Sequence, residues 1–416
     1  MTTMRWIVGV STLLAMLGCG GDDGGAPAAA TSSSAGSSSG DETTGTTGSS
    51  SSADSSGADT TAASSESTGG DAQSCPGTSL RPLPAAFDER GPWTVGARTL
   101  AIAGLTVEVW YPVAPGDEAG LDPIRYDIRE HLPRSEQGKI DDGTNPWQDC
   151  DCYRDLEPDA AYGPYPVVVF VHGTASFRTQ SLPQMIHWAS RGYVVVAADH
   201  PGLQLRDLLA QVCGGGTVGQ DLTADLDALL AAIRGETDEL AFLGDRLDAT
   251  RIGMAGHSAG GGAIANRGDD AAVLIPMAAG GTMPGTALVS TLVLGGTADS
   301  IVAYDQQLAG YASSPAPKRL VGLDGAGHLA FSEICSLRND DGLNLLEIAE
   351  ANGVCGAQFA GFLFQCSDTL LADTEAWAIV DAATAAALDE TLQCRDIGAA
   401  FDELAGVAGV AEVREQ

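Results

Sequence analysis

Between residues 166 and 323 the chain alternates short, uniformly apolar runs with longer stretches of mixed character. The runs are PVVVFVH (166–172), YVVVAAD (193–199), RIGMAG (251–256), AAVLIPM (271–277), TLVLGG (291–296) and KRLVGL (318–323). Runs this short, rich in β-branched residues and lacking polar alternation, are strands with apolar neighbours on both faces. The stretches between them predict helices over 181–191, 220–234, 259–267 and 303–312. Strand and helix in turn predict an α/β fold with a mostly parallel central sheet and helices on both faces. Upstream, RTLAIA and LTVEVWYPV, joined at Gly104, predict two further strands within 98–113. A last helix is expected over 397–408.

The flanks have a different character. Residues 115–165 are polar and rich in Asp and Pro, and 336–395 continue beyond the last apolar run. Both are expected to be insertions or a lid on a single α/β domain spanning 75–416, with 116–165 and 336–395 as their bounds. Residues 336–395, which include the apolar patch FAGFLF (359–364), fit either a lid or an outer layer of helices. From 20 to 74 no Val, Ile, Leu, Met or aromatic residue occurs. Such a segment buries too little apolar surface to offset its ordering entropy, and as a Gly/Ser coil it spans roughly 40 Å. Ahead of this linker, residues 1–19 have the form of a lipoprotein signal peptide. Arg5 supplies the positive end, an apolar stretch too short to cross a bilayer follows, and Met16-Leu17-Gly18-Cys19 resembles a bacterial lipobox. The expectation is export, with Cys19 lipidated and the chain anchored to the cell envelope, at the outer membrane in a Gram-negative host.

The formal net charge of −34 excludes a nucleic-acid partner and disfavours anionic substrates. A neutral or zwitterionic substrate fits better. Eight cysteines besides Cys19 suit disulfides in an exported chain. Cys150 and Cys152 are expected to reach separate partners, and Cys335, Cys355, Cys366 and Cys394 to pair among themselves. No CxxC or HExxH pattern is present, so neither metal nor cofactor is expected.

In open α/β sheets the chemistry sits beyond the carboxyl ends of the strands. After RIGMAG comes Gly256-His257-Ser258-Ala259-Gly260, a G-x-S-x-G turn between a strand and a helix. The linker holds a second match, GSSSG at 36–40, without strand or helix beside it, so context selects Ser258 as nucleophile. Its base must follow in the chain, and His328 is the one histidine downstream. Between them Asp299 follows TLVLGG, which makes it the orienting acid; Asp305 and Asp324 are weaker substitutes. An oxyanion hole needs two backbone N–H groups. One is expected at Ala259 and one at Thr174, in the loop after PVVVFVH, with Ala175 as the alternative to Thr174.

FVHGTASFRTQSLPQMIHWASRGYVVVAADHPG, GHSAGG and LDGAGHLAFSEIC together resemble the platelet-activating-factor acetylhydrolase and dienelactone-hydrolase-like branch of the α/β-hydrolases, and cutinase-like polyester hydrolases share the same core. The resemblance implies Ser258, Asp299 and His328 as triad, with Thr174 and Ala259 as oxyanion donors. Dienelactone hydrolases carry a cysteine nucleophile and polyesterases usually a methionine after the serine; here these are Ser258 and Ala259. The function expected is a serine carboxylic ester hydrolase working through an acyl-enzyme. A lipid acetylhydrolase, to which Phe177-Arg178-Thr179 points, or a polyester hydrolase is the near alternative. A non-catalytic binding lipoprotein on the same scaffold is the distant one.

Overall fold

The computed structural model describes residues 75–360 and 364–416. The expected leader with Cys19 and the linker 20–74 lie outside the described residues, as do residues 361–363 of the patch 359–364. The strands are β1 Thr94–Ile102, β2 Leu105–Val113, β3 Ile124–Tyr126, β4 Gln148–Cys150, β5 Tyr153–Arg154, β6 Tyr165–Val171, β7 Val194–Asp199, β8 Leu247–His257, β9 Val273–Met277, β10 Ser290–Gly296, β11 Lys318–Leu323 and β12 Val410–Glu415. Ten of them form one sheet in the order β12-β11-β10-β9-β8-β6-β7-β2-β1-β5. The six central strands, from β11 to β7, run parallel to their neighbours. The β1–β2 hairpin and β12 add antiparallel edges.

The two faces of the sheet explain why its strands read as unbroken apolar runs. In β6, Val168 and Phe170 join one buried cluster while Val167, Val169 and Val171 join the other. The first cluster is covered by the helices Leu182–Ser190, Asp373–Leu392 and Ala400–Leu404. The second is covered by Leu222–Ile233, which contributes Leu226, Leu229 and Ile233. Both sides of the central strands therefore leave water, and their polar residues fall toward the strand ends, as Lys318 and Arg319 in β11 and Asp199 in β7 do.

Three expectations need correction. Residues 336–395 are not wholly an insertion or lid, because Asp373–Leu392 is a 20-residue helix of the main layer. Ala376, Val380, Ala383, Leu388 and Leu392 are all buried against the sheet cluster. The helix expected over 397–408 shrinks to Ala400–Leu404, after which β12 pairs with β11. The cysteines pair as Cys75–Cys394, Cys150–Cys152, Cys213–Cys355 and Cys335–Cys366. Of the C-terminal four, only Cys335 and Cys366 meet each other. Cys150 and Cys152 bridge mutually because the chain bends at Asp151 after β4, which brings their Cα atoms to 5.1 Å, inside the usual range for a disulfide. Cys394 follows the long helix and lands on the first described residue, where Cys75 N–H also donates to Gln393 O at 3.1 Å.

Cys75–Cys394 closes a sequence separation of 319, so it restricts the unfolded chain more than the other bridges. Cys394→Ser is expected to lower the unfolding free energy by about 2–5 kcal/mol. Urea titration of the oxidised wild type and the variant checks this; coincident transitions would mean the bridge adds nothing.

Candidate active site

The strand–turn–helix around Ser258 depends on close backbone packing. Ser258 leaves β8 with φ 54° and ψ −118°, a region costly for any side chain, and the helix Ala259–Ile264 starts at the next residue. Its N–H is held by Met277 O of β9 at 2.9 Å. A Cβ on Gly260 would lie 2.1 Å from Val171 O, and one on Gly256 would lie 2.5 Å from the Gly260 backbone. Only glycine lets the helix approach β6 closely enough to make the turn.

The sharp turn projects Ser258 toward the loop that follows β11. Ser258 Oγ lies 2.9 Å from His328 Nε2, and His328 Nδ1 lies 2.9 Å from Asp299 Oδ2. With its proton on Nδ1, donated to the carboxylate, the imidazole presents the Nε2 lone pair to the serine hydroxyl. Asp299 accepts from two more groups on Oδ1, the N–H of Ile301 and of Val302, both at 2.9 Å. It does not cap the helix Tyr304–Ser313, whose cap position is Ala303.

A residue that the sequence did not single out completes this arrangement. Gln307, fully buried on Tyr304–Ser313, donates Nε2–H to Asp299 Oδ2 at 2.9 Å and to Val302 O at 2.7 Å. Its Oε1 accepts from Gly296 N–H at 3.1 Å. A Cβ at Gly295 would lie 2.2 Å from that oxygen, so the glycine at the end of β10 makes room for the amide. A single glutamine on an otherwise unremarkable helix carries no sequence signal for this role.

The neighbouring histidines are fixed and neutral. His257 Nε2 donates to His328 O at 2.8 Å, and burial pushes its pKa down to about 3. That bond ties the loop carrying His328 to the end of β8. His172 accepts from His200 N–H through Nε2, so its Nδ1–H donates to Gly173 O at 2.8 Å; burial again lowers it, to about 3. His187 is buried on its helix with Nε2 against Phe87 O. His131 stacks on Phe177 with ring centroids 4.1 Å apart, and burial brings it to about 4.

On the oxyanion side, Thr174 is the one residue between 171 and 182 that is not buried. Among the described residues neither its N–H nor that of Ala259 has a hydrogen-bond partner. Ala175 drops out as a donor because its N–H bonds to Leu203 O at 2.9 Å. The loop is braced by the buried Gln180, whose Oε1 accepts from Gly173 N–H at 2.8 Å, another support with no sequence signal. Arg178 is also buried and already paired, with Asp199 at 2.6 Å and near Glu108 and Glu130.

Residues 146–204 match the family model of platelet-activating factor acetylhydrolase, isoform II. The matched stretch runs from β4 through β6, the Thr174 loop and Leu182–Ser190 to the end of β7; it stops short of Ser258, Asp299 and His328. No curated protein matches the chain. Parallel sheet, covering helices and family match together make this chain an ester-hydrolysing serine enzyme of the α/β-hydrolase type, similar over residues 146–204 to platelet-activating factor acetylhydrolase, isoform II.

Proposed function

We propose that the enzyme cleaves carboxylic esters through an acyl-enzyme on Ser258. The observation that carries this reading is the unbroken hydrogen-bond chain from Ser258 Oγ through His328 to Asp299. Ser258 Oγ attacks the acyl carbonyl as His328 Nε2 takes its proton, and Asp299 stabilises the imidazolium that forms. The two unpartnered amides, Thr174 and Ala259, receive the oxyanion. Imidazolium then protonates the leaving alcohol, and water, deprotonated by the same nitrogen, releases the acid and restores the serine. The net charge of −34 favours a neutral or zwitterionic ester over an anionic one.

A short-acyl lipid ester is a second reading, favoured by the match at 146–204. Phe177-Arg178-Thr179 does not by itself supply a headgroup site, since the Arg178 guanidinium is committed to buried carboxylates. A fluorophosphonate probe should label the wild type at one site, found by peptide mapping within the tryptic peptide containing Ser258. Labelling that persists in Ser258→Ala would move the nucleophile elsewhere.

Lipid anchoring belongs to the same proposal. Its support is the leader ending in Gly18-Cys19 and the apolar-free stretch 20–74. Wild-type protein from its native host should incorporate labelled palmitate and sediment with membranes, and Cys19→Ala should do neither. Wild-type protein free of label would end the anchoring reading while leaving the ester chemistry untouched.

A further inference from the structure

At Gly173 the loop after β6 packs directly on the nucleophile. A Cβ there would lie 2.8 Å from His257 Nδ1 and 3.3 Å from Ser258 Cβ, so a side chain at this position would have to displace one of them. Glycine solves the packing and creates a second difficulty. It has the widest choice of backbone conformation of any residue, yet the next amide in the chain, Thr174 N–H, must keep one direction to meet an oxyanion. Close approach to Ser258 and a fixed direction for Thr174 pull against each other.

Two fully buried side chains remove that freedom. Gly173 N–H donates to Gln180 Oε1 at 2.8 Å, and Gly173 O accepts from His172 Nδ1–H at 2.8 Å. Each bond holds one of the two peptide planes that meet at Gly173 Cα, so both of its torsions are set. The carbonyl of Gly173 and the N–H of Thr174 share a plane and point opposite ways across it. Holding the carbonyl on His172 therefore turns the Thr174 N–H away from it, where it meets no partner among the described residues. The two side chains are themselves fixed. His200 N–H donates to His172 Nε2 at 3.1 Å, which keeps the imidazole proton on Nδ1. Gln180 Nε2–H donates to Ser181 Oγ at 3.2 Å, and Ser181 gives its own proton to Phe331 O at 2.8 Å, so Oε1 is the end that faces Gly173. Gln180 O also accepts from Glu333 N–H at 2.7 Å. Phe331 and Glu333 lie in the segment that follows His328, so Gln180 touches the loop carrying Thr174 and the loop carrying the base.

Resting on the ester-hydrolase reading, we propose that Gln180 is a positioning residue of the oxyanion hole. Through Gly173 N–H, and with His172 on the Gly173 carbonyl, it fixes the direction of the Thr174 N–H and registers that direction against the His328 loop. It touches neither the ester nor the triad. Its contribution is to keep a donor aimed where charge develops, so that no reorientation is needed at the moment of reaction.

The test compares Gln180→Leu with wild type in the full-length enzyme. The substrate is p-nitrophenyl butyrate, and the inhibitor is a trifluoromethyl ketone of the same acyl length, to which a serine hydroxyl adds with formation of an oxyanion. Leucine keeps the bulk and offers no acceptor, so kcat should fall about 10- to 100-fold, less than the outright loss of an oxyanion donor. KM should stay within about threefold of wild type, while the inhibition constant of the ketone rises in step with the fall in kcat/KM. The midpoint of the kcat–pH curve should not move, because His328 keeps its contacts with Ser258 and Asp299. Gln180→Met, also unable to accept, repeats the comparison should Gln180→Leu fail to fold. A folded variant with kcat within about twofold of wild type overturns the assignment. A loss carried by KM, or a displaced pH curve, overturns it too, since the effect would then lie in general packing or in His328. A wild type that neither turns over the ester nor binds the ketone would instead sink the parent reading.

Discussion

Ser258→Ala, or His328→Ala, is expected to lower kcat by about 10⁴–10⁶-fold, and the double variant to be little slower than either. The reason is geometric. Among the described residues, the 2.9 Å contact between Ser258 Oγ and His328 Nε2 is the only hydrogen bond either atom makes. Without the imidazole the hydroxyl has no base within reach, and without the hydroxyl the imidazole has nothing to activate, so the two losses are one loss. The residual rate would come from the Thr174 and Ala259 amides and from substrate binding. KM should change little, because neither side chain is asked to hold the ground-state ester. Steady-state kinetics on one ester, with circular dichroism to establish folding, decides it. A Ser258→Ala enzyme keeping more than about a tenth of wild-type kcat, far above the loss a true nucleophile imposes, would falsify the assignment.

What could be read from the sequence follows the division between local and long-range information. Each central strand announced itself, because a strand covered on both faces is apolar at every position, as in Val167 to Val171. The helix Asp373–Leu392 did not, since its alanines at 376, 382, 383, 385, 386 and 387 are apolar around most of its circumference and leave no 3.6-residue stripe to detect. β12 escaped for the opposite reason: Val410–Glu415 alternates with charges and is defined by its partner β11, not by its own composition. The cysteine pairs depended on where chain ends return in space, which spacing does not encode. Ser258, Asp299 and His328 each follow a strand end in a recognisable order, and the sheet topology then brings them into contact. Gln307 and Gln180 carry no motif, because a buried amide that satisfies a neighbour looks in sequence like any helical glutamine.

Asp299→Asn is expected to cost about 10⁴-fold in kcat with the fold preserved. Asp299 takes four hydrogen bonds, and every one comes from a donor: Ile301 and Val302 N–H on Oδ1, Gln307 Nε2–H and His328 Nδ1–H on Oδ2. An asparagine has only one acceptor oxygen. The two backbone N–H groups cannot rotate away, so they hold that oxygen and turn the NH₂ toward Gln307 and His328. There a donor faces two donors. The cheapest relief is for His328 to move its proton from Nδ1 to Nε2, which lets Nδ1 accept from the new amide. The nitrogen facing Ser258 is then already protonated and cannot take the serine proton. The variant should therefore lose kcat while keeping KM and melting temperature near wild type. Gln307→Leu, which removes one donor without reversing any other, should keep the tautomer and lose far less, about 10-fold or so by the loss of a single buried hydrogen bond. Ratios of kcat for the two variants against wild type check the argument. Equal losses in both would mean that the carboxylate acts through packing and not through the proton it holds on His328 Nδ1.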